Sequence, residues 1–231
     1  MLTLDQKNFI YNFIDAVYVI NLPTRKDRME NVIKELTKVG LVGKMEVIGG
    51  IRFDDLHYTS GRAGCSAAHT KALTTAYDRQ VRNVLVLEDD VFFVEEKLQT
   101  IYDAIFDLDR INWDICYFGA RIKDKMDNFS NGLYRISNFG CGTAILYNYK
   151  VLEYILGLLP KYHEGYDKWM EFVNQNECLD VWLPRIVGQN ADFFVFSSRE
   201  LVALQTAGFS DINNKICDGI KIMNEDFERY K

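Results

Sequence analysis

A series of short apolar runs, rich in β-branched and aromatic residues, punctuates the chain: AVYVINL at 16–22, KMEVIG at 44–49, NVLVLED at 83–89, DICYFG at 114–119, GTAILYN at 142–148 and DFFVFS at 192–197. Each has the length and composition of a strand. Between them apolar positions recur at helical spacing. Residues 24–39 carry Met29, Val32, Ile33, Leu36 and Val39 on one stripe, with Thr24 and Asp27 as the expected N-terminal cap. Residues 66–80, 95–108, 149–159 and 178–188 read as further helices. This alternation, with nearly continuous apolar strands, predicts an α/β layer structure: a mostly parallel central sheet flanked by helices. The prolines are only Pro23, Pro160 and Pro184, and no Ser/Gly-rich linker occurs, so residues 1–231 are expected to form a single domain.

Composition narrows the class. With 48% hydrophobic and 26% charged residues the chain can build a full core. A net charge of −6 argues against a nucleic-acid binder, and the basic runs RKDR and KDK are interrupted by acid, unlike a polybasic membrane anchor. The five cysteines are widely spaced with no CxxC pair, which fits a reduced compartment better than a zinc ribbon or a disulfide framework. The N-terminal stretch lacks the basic region and small-residue cleavage site of a secretory signal, and no stretch approaches a membrane span. A cytoplasmic protein without a transmembrane segment is expected, compatible with peripheral contact with a membrane.

Residues 83–93, NVLVLEDDVFF, pose the sharpest chemical question. Three adjacent carboxylates repel one another, and placing them beside apolar residues costs solvation. Strand alternation sends Glu88 and Asp90 to one face and Asp89 to the other. Two carboxylates so placed suit a hard divalent cation, Mg²⁺ or Mn²⁺, completed by diphosphate oxygens. The alternative is an acidic turn that caps the next helix.

INLPTRKDR at 20–28 ends a strand on Asn21 and sets Arg25 and Arg28 beside a helix start, an arrangement suited to phosphate or a base, or merely a solvated helix face. In SGRAGCSAAHTKALTTAYDR at 60–79, small residues lead into a helix bearing His69, permitting close approach of a ligand or close helix–sheet packing. No GxSxG, HExxH or GxxxxGK[ST] occurs, and no nucleophile motif is found.

Taken in order, VYVINLPTRKDRM, GRAGCSAAHTKAL, VLVLEDDVFF, WDICYFGA, GTAILYN, CLDVWL and LVALQTAGFSDI resemble glycosyltransferase family 25, a family that includes lipooligosaccharide galactosyltransferases and collagen hydroxylysine glycosyltransferase domains. The resemblance spans roughly residues 16 to 213. It implies a GT-A-type fold, a UDP-hexose donor (galactose or glucose), a Mn²⁺ or Mg²⁺ ion, and inverting transfer to a hydroxyl of a glycan, glycolipid or collagen-like acceptor. It further implies that Asp90 is the direct metal ligand of a DxD-like motif, with Glu88 or Asp89 on ribose or metal-bound water and Glu88 and Asp211 as further metal candidates. Asn21, Leu22, Arg25 and Arg28 would border the nucleotide, Gly64, Ser66 and His69 would close over it, and Gln205 and Ser210 would add late contacts. Asp180 in ECLDVWL is the implied general base, with Glu177 in reserve. The chain departs from many GT-A enzymes in having no histidine after His163 to complete a metal shell.

The aromatic stretch KYHEGYDKWMEF at 161–172 has two readings, a mobile acceptor loop stacking sugars on Tyr162, Tyr166 and Trp169, or the core side of an amphipathic helix. Two other function classes remain: a metal-dependent nucleotide-sugar hydrolase using the same acids, and a non-catalytic nucleotide-sugar-binding module.

Overall fold

The computed structural model describes residues 1–53, 58–206, 208–210, 215–217 and 219–231. In chain order the elements are α1 (Leu4–Phe13), β1 (Ala16–Asn21), α2 (Lys26–Val39), β2 (Met45–Gly49), α3 (Tyr58–Asp78), β3 (Asn83–Glu88), β4 (Val91–Phe93), α4 (Gln99–Leu108), β5 (Ile115–Ile122), β6 (Asp127–Asn128), β7 (Leu133–Arg135) and β8 (Phe139–Asn148). There follow α5 (Tyr149–Leu158), α6 (Tyr166–Asn176), α7 (Leu179–Leu183), β9 (Val195–Ser198), β10 (Ala203–Gln205), β11 (Gly208–Ser210), β12 (Lys215–Cys217) and α8 (Gly219–Tyr230).

The central sheet runs β2-β1-β3-β8-β5-β9-β7-β6. Strands β2, β1, β3, β5, β9 and β6 point one way and only β8 and β7 the other, which makes this a mostly parallel α/β sheet. Both faces are covered. Val84 and Val86 of β3 and Ile145 and Tyr147 of β8 join the core beneath α3 and α5, whereas Leu85, Leu87, Ala144 and Leu146 join the core beneath α2 and α4. That period of two explains why these strands read as unbroken apolar runs.

Local sequence chemistry sets the helix ends. Thr3 and Gln6 form a reciprocal capping box on α1, and Gly40 closes α2 in the left-handed conformation at φ 78°. The expected Thr24 cap is not formed. The helix begins after Arg25, which makes no side-chain capping bond, and the Asp27 carboxylate pairs with the Arg25 guanidinium. The helix predicted over 66–80 starts earlier, at Tyr58, because its small residues pack as helix rather than as loop.

A short antiparallel pair, β4 with β10, crosses beside the main sheet and registers Gln205 against Val91. Gly119 makes this crossing possible: a Cβ there would lie 2.0 Å from the Ala203 carbonyl oxygen. The consequence is functional. Gln205 returns to the end of β3, where the acids stand. Trp169 is fully buried against Phe172 and its indole N–H donates to the Lys161 carbonyl, so it belongs to the core and not to a sugar-stacking surface. Tyr166 meets Phe53 edge-on. Among the described residues no helix is long and apolar enough to cross a membrane.

Candidate functional site

Glu88 and Asp89 point apart, but the strand ends at Glu88 and Asp89–Asp90 form a turn, so the third acid is not set by strand alternation: Asp90 shares Arg28 with Asp89. Glu88 ends β3 with the same facing as Val84 and Val86, toward α3; Asp89 faces α2. On the α2 side, Asn21 ends the neighbouring strand β1 and donates from Nδ2 to Asp89 Oδ2 at 2.7 Å. Arg28, in the first turn of α2, donates to Asp89 Oδ1 at 2.5 Å and lies 3.5 Å from Asp90 Oδ2. A cation that offsets the acid cluster is therefore supplied from within the chain. Burial nonetheless pushes the Asp89 carboxyl above its ordinary range, against the pull of Arg28 and Asn21.

Asp90 is more exposed to this conflict. Burial first, then the neighbouring Glu88 charge, raise its carboxyl to about 7, and Arg28 only partly opposes them. Its Oδ1 is buried with no hydrogen-bond partner among the described residues. Such an oxygen, beside a second carboxylate, is what a hard divalent cation would relieve, so the donor set here fits Mg²⁺ or Mn²⁺.

On the α3 side, Gln205 Nε2 donates to Glu88 Oε2 at 2.6 Å, while Glu88 Oε1 stands 3.4 Å from His69 Nε2 and 3.9 Å from Cys65 Sγ. Gly142 of β8 completes this corner: a Cβ at 142 would sit 3.1 Å from His69 Nε2 and 3.2 Å from Glu88 Oε1.

Asp180 lies across β8, in the first turn of α7. Its Oδ2 accepts the backbone N–H of Cys141 at 3.0 Å, and Cys141 itself holds a positive φ of 73°, an uncommon conformation for a residue with a side chain. Ser66, fully buried in α3, receives the Leu179 N–H on its Oγ at 3.0 Å and so ties the start of α7 to α3. The thiols in between register both carboxylates. Burial and the charges of Glu88 and Asp180 push Cys65 well up and Cys141 to about 12; burial and Asp180 push Cys178 to about 12.

Glu88, Asp89, Asp90, Asn21, Arg28, His69 and Gln205 are thus brought to one sheet edge, with Ser66 and Asp180 behind it. Arg25 is turned to Asp27, whose carboxyl it holds below the usual range; Leu22 packs at Gly50; Gly64 packs against the Ile51 carbonyl, where a Cβ would meet oxygen at 2.3 Å. Glu177 pairs with Arg185. Asp211 lies outside the described residues. Of Ser210 only the backbone, in β11, is described. Sequence reasoning missed Cys65. The signal was present, since Cys65 and His69 are four residues apart on one helix and share a face.

No family model matches the chain. Among curated proteins it is 25% identical to procollagen galactosyltransferase 2 of Homo sapiens over 168 residues, covering 62% of this chain and 26% of that protein. A glycosyltransferase 25 family member of Anopheles gambiae is 28% identical over 168 residues, 63% of this chain and 27% of that one. A Homo sapiens protein named inactive glycosyltransferase 25 family member 3 is 24% identical, over 62% of this chain and 27% of its own length. The matched region thus spans about a quarter of these relatives. Among solved structures, a glycosyltransferase involved in the glycosylation of the major capsid of PBCV-1 aligns with a TM-score of 0.39 at 11% identity, covering 78% of this chain and 81% of that chain. UDP-glucose pyrophosphorylase complexed with UDP-glucose aligns at 0.44 and 10% identity, covering 98% and 86%.

Proposed function

We propose that this chain, whose curated relatives carry the names glycosyltransferase 25 family member and procollagen galactosyltransferase, is a metal-dependent inverting glycosyltransferase that moves a hexose from a UDP-sugar to an acceptor hydroxyl. The observation that supports it best is the buried Asp90 Oδ1, without a hydrogen-bond partner among the described residues, beside Glu88 at a strand end where Arg28 already leans on Asp89. Asp90 and Glu88 would hold Mn²⁺ or Mg²⁺, and Asp211 is assigned to the same shell; the ion would offset the charge that builds on the departing UDP diphosphate.

The remaining roles fall to the chain. Asn21 and Arg28 hold Asp89 so that the carboxylates keep their separate facings. Gln205 fixes the Glu88 rotamer. Asp180 is the assigned base: it would take the acceptor hydroxyl proton as that oxygen bonds the anomeric carbon from the side opposite the leaving diphosphate, inverting the centre. The Cys141 N–H on Oδ2 and the Ser66 bond to the neighbouring Leu179 N–H support this reading by holding the turn that carries Asp180. The acceptor class is a glycan, a glycolipid or a hydroxylysine-type side chain.

One relative, 24% identical over 62% of this chain, is named inactive, which favours a non-catalytic nucleotide-sugar-binding module as the second reading. Calorimetric titration with UDP-, GDP- and CMP-sugars, with and without Mn²⁺, on the wild type and Asp90→Ala tests the binding half. Binding of a UDP-sugar that needs both Mn²⁺ and Asp90 is expected, and no metal-dependent nucleotide binding overturns the reading. UDP release measured over an acceptor panel then separates the classes. Acceptor-stimulated release marks the transferase, equal release without acceptor a hydrolase, and binding without release the module.

A further inference from the structure

We propose that Cys65, His69 and Glu88 form a second cation site, one that takes a zinc-class ion and shares Glu88 with the hard-ion site. The three side chains arrive from two elements. Cys65 and His69 are four residues apart in α3 and present their donors on one face, and Glu88 meets them from the end of β3. One ligand atom from each lies within 4.8 Å of the others, with Nε2–Oε1 at 3.4 Å and Sγ–Oε1 at 3.9 Å. Ordinary zinc bond lengths imply tetrahedral edges of roughly 3.3–3.6 Å for these donor pairs. The His69–Glu88 separation is long for an N–H···O hydrogen bond but matches such an edge.

Two further features point to a ligand. Gly142 keeps the fourth side open, since any side chain there would press on both Nε2 and Oε1. Gln205 orients Glu88 through its other oxygen, the outer support that a ligating carboxylate needs. A thiolate–imidazole–carboxylate set selects zinc-class ions over Mg²⁺ and Mn²⁺, which the all-oxygen set at Asp90 prefers. Binding converts the Cys65 thiol to a metal thiolate and releases its proton to solvent. Because Glu88 serves both sites, zinc occupancy withdraws it from donor binding; this consequence rests on the transferase reading, the site itself does not.

Co²⁺ serves as the probe, added to chelator-treated full-length protein with no nucleotide present. The expected result is one ion per chain with intense tetrahedral visible bands and a near-ultraviolet thiolate charge-transfer band. Equimolar Zn²⁺ should abolish both, a large excess of Mn²⁺ should leave them, and Cys65→Ser should remove the charge-transfer band. On the unmodified chain, Zn²⁺ should protect Cys65 from alkylation, read by peptide mass spectrometry, which keeps the test independent of any variant's folding. A weak octahedral spectrum, a charge-transfer band that survives Cys65→Ser, equal displacement by Mn²⁺, or absence of protection would each overturn the site. The spectrum is read apart from any transfer activity, so its failure and that of the transferase reading are distinguishable.

Discussion

Arg28 on α2 donates to Asp89, sixty-one residues further along the chain, across a gap of 2.5 Å, in a pair whose side chains are only 15% and 10% exposed. The guanidinium is the internal counterion of an acid cluster that its own strand cannot neutralise. Removing one partner of a buried pair leaves the other uncompensated, which costs about 3–5 kcal/mol. Arg28→Ala should therefore lower stability by that order in urea unfolding. The double variant Arg28→Ala, Asp89→Asn should recover part of the loss, because no bare charge then remains. Equal losses in the single and double variants would contradict the pairing.

Asp90 gives the pH dependence. Its carboxyl is raised to about 7 in the folded chain and returns to about 4 on unfolding. A raised carboxyl favours the protonated form, so its contribution to stability is fully present below about pH 4 and is lost as pH rises through 7. The metal-free protein should lose stability over that window, and Asp90→Asn should flatten the loss, melting higher than wild type at pH 8 and alike at pH 4. Thermal unfolding at the two pH values measures it. The variant should fail to bind nucleotide with Mn²⁺ even while it is more stable, the signature of a residue kept for function.

Much of this arrangement was legible in the chain, and the illegible parts have physical reasons. Apolar runs gave six of the eight strands of the central sheet, missing the short β6 and β7, and Glu88 and Asp89 do point to opposite sides. Strands β4 and β10 have three residues each, too few to show a period, so the crossing that returns Gln205 to Glu88 was invisible. The pairing of Arg28 with Asp89 depends on register between β1 and β3, and no local pattern encodes it. Thr24 failed as a cap because the helix starts at Lys26 and Arg25 takes the cap position, and Trp169 proved to be core because its helix packs that face inward.

Ser66 anchors α7 through the Leu179 N–H, in a fully buried bond. Ser66→Ala leaves that donor without its acceptor, at a cost of about 1–3 kcal/mol. The bond also sets the first turn that carries Asp180. Stability should fall by that order, and turnover should drop with donor affinity little changed, because Asn21, Arg28 and the acids are held by other elements. A variant with unchanged turnover would detach Asp180 from this support and from its role as base.

Gly142 separates function from folding most cleanly. In a strand interior alanine ordinarily stabilises relative to glycine by about 0.5–1 kcal/mol, through the entropy of the unfolded chain. The 142 backbone has no positive φ that would forbid the change. A methyl group at 142, however, falls 3.1 Å from His69 and 3.2 Å from Glu88, closer than comfortable contact, and must push one of them by a few tenths of an ångström. Both proposed cation sites use Glu88, and displacements of about 1 Å at a reacting centre already cost on the order of a hundredfold in rate. Gly142→Ala should keep or slightly raise the melting temperature, weaken the Co²⁺ charge-transfer band, and reduce sugar transfer by about ten- to a hundredfold. If folding, cobalt binding and transfer all matched wild type, the corner between β3, α3 and β8 would hold no ligand, and the acids at the end of β3 would have to work from the Asp90 side alone.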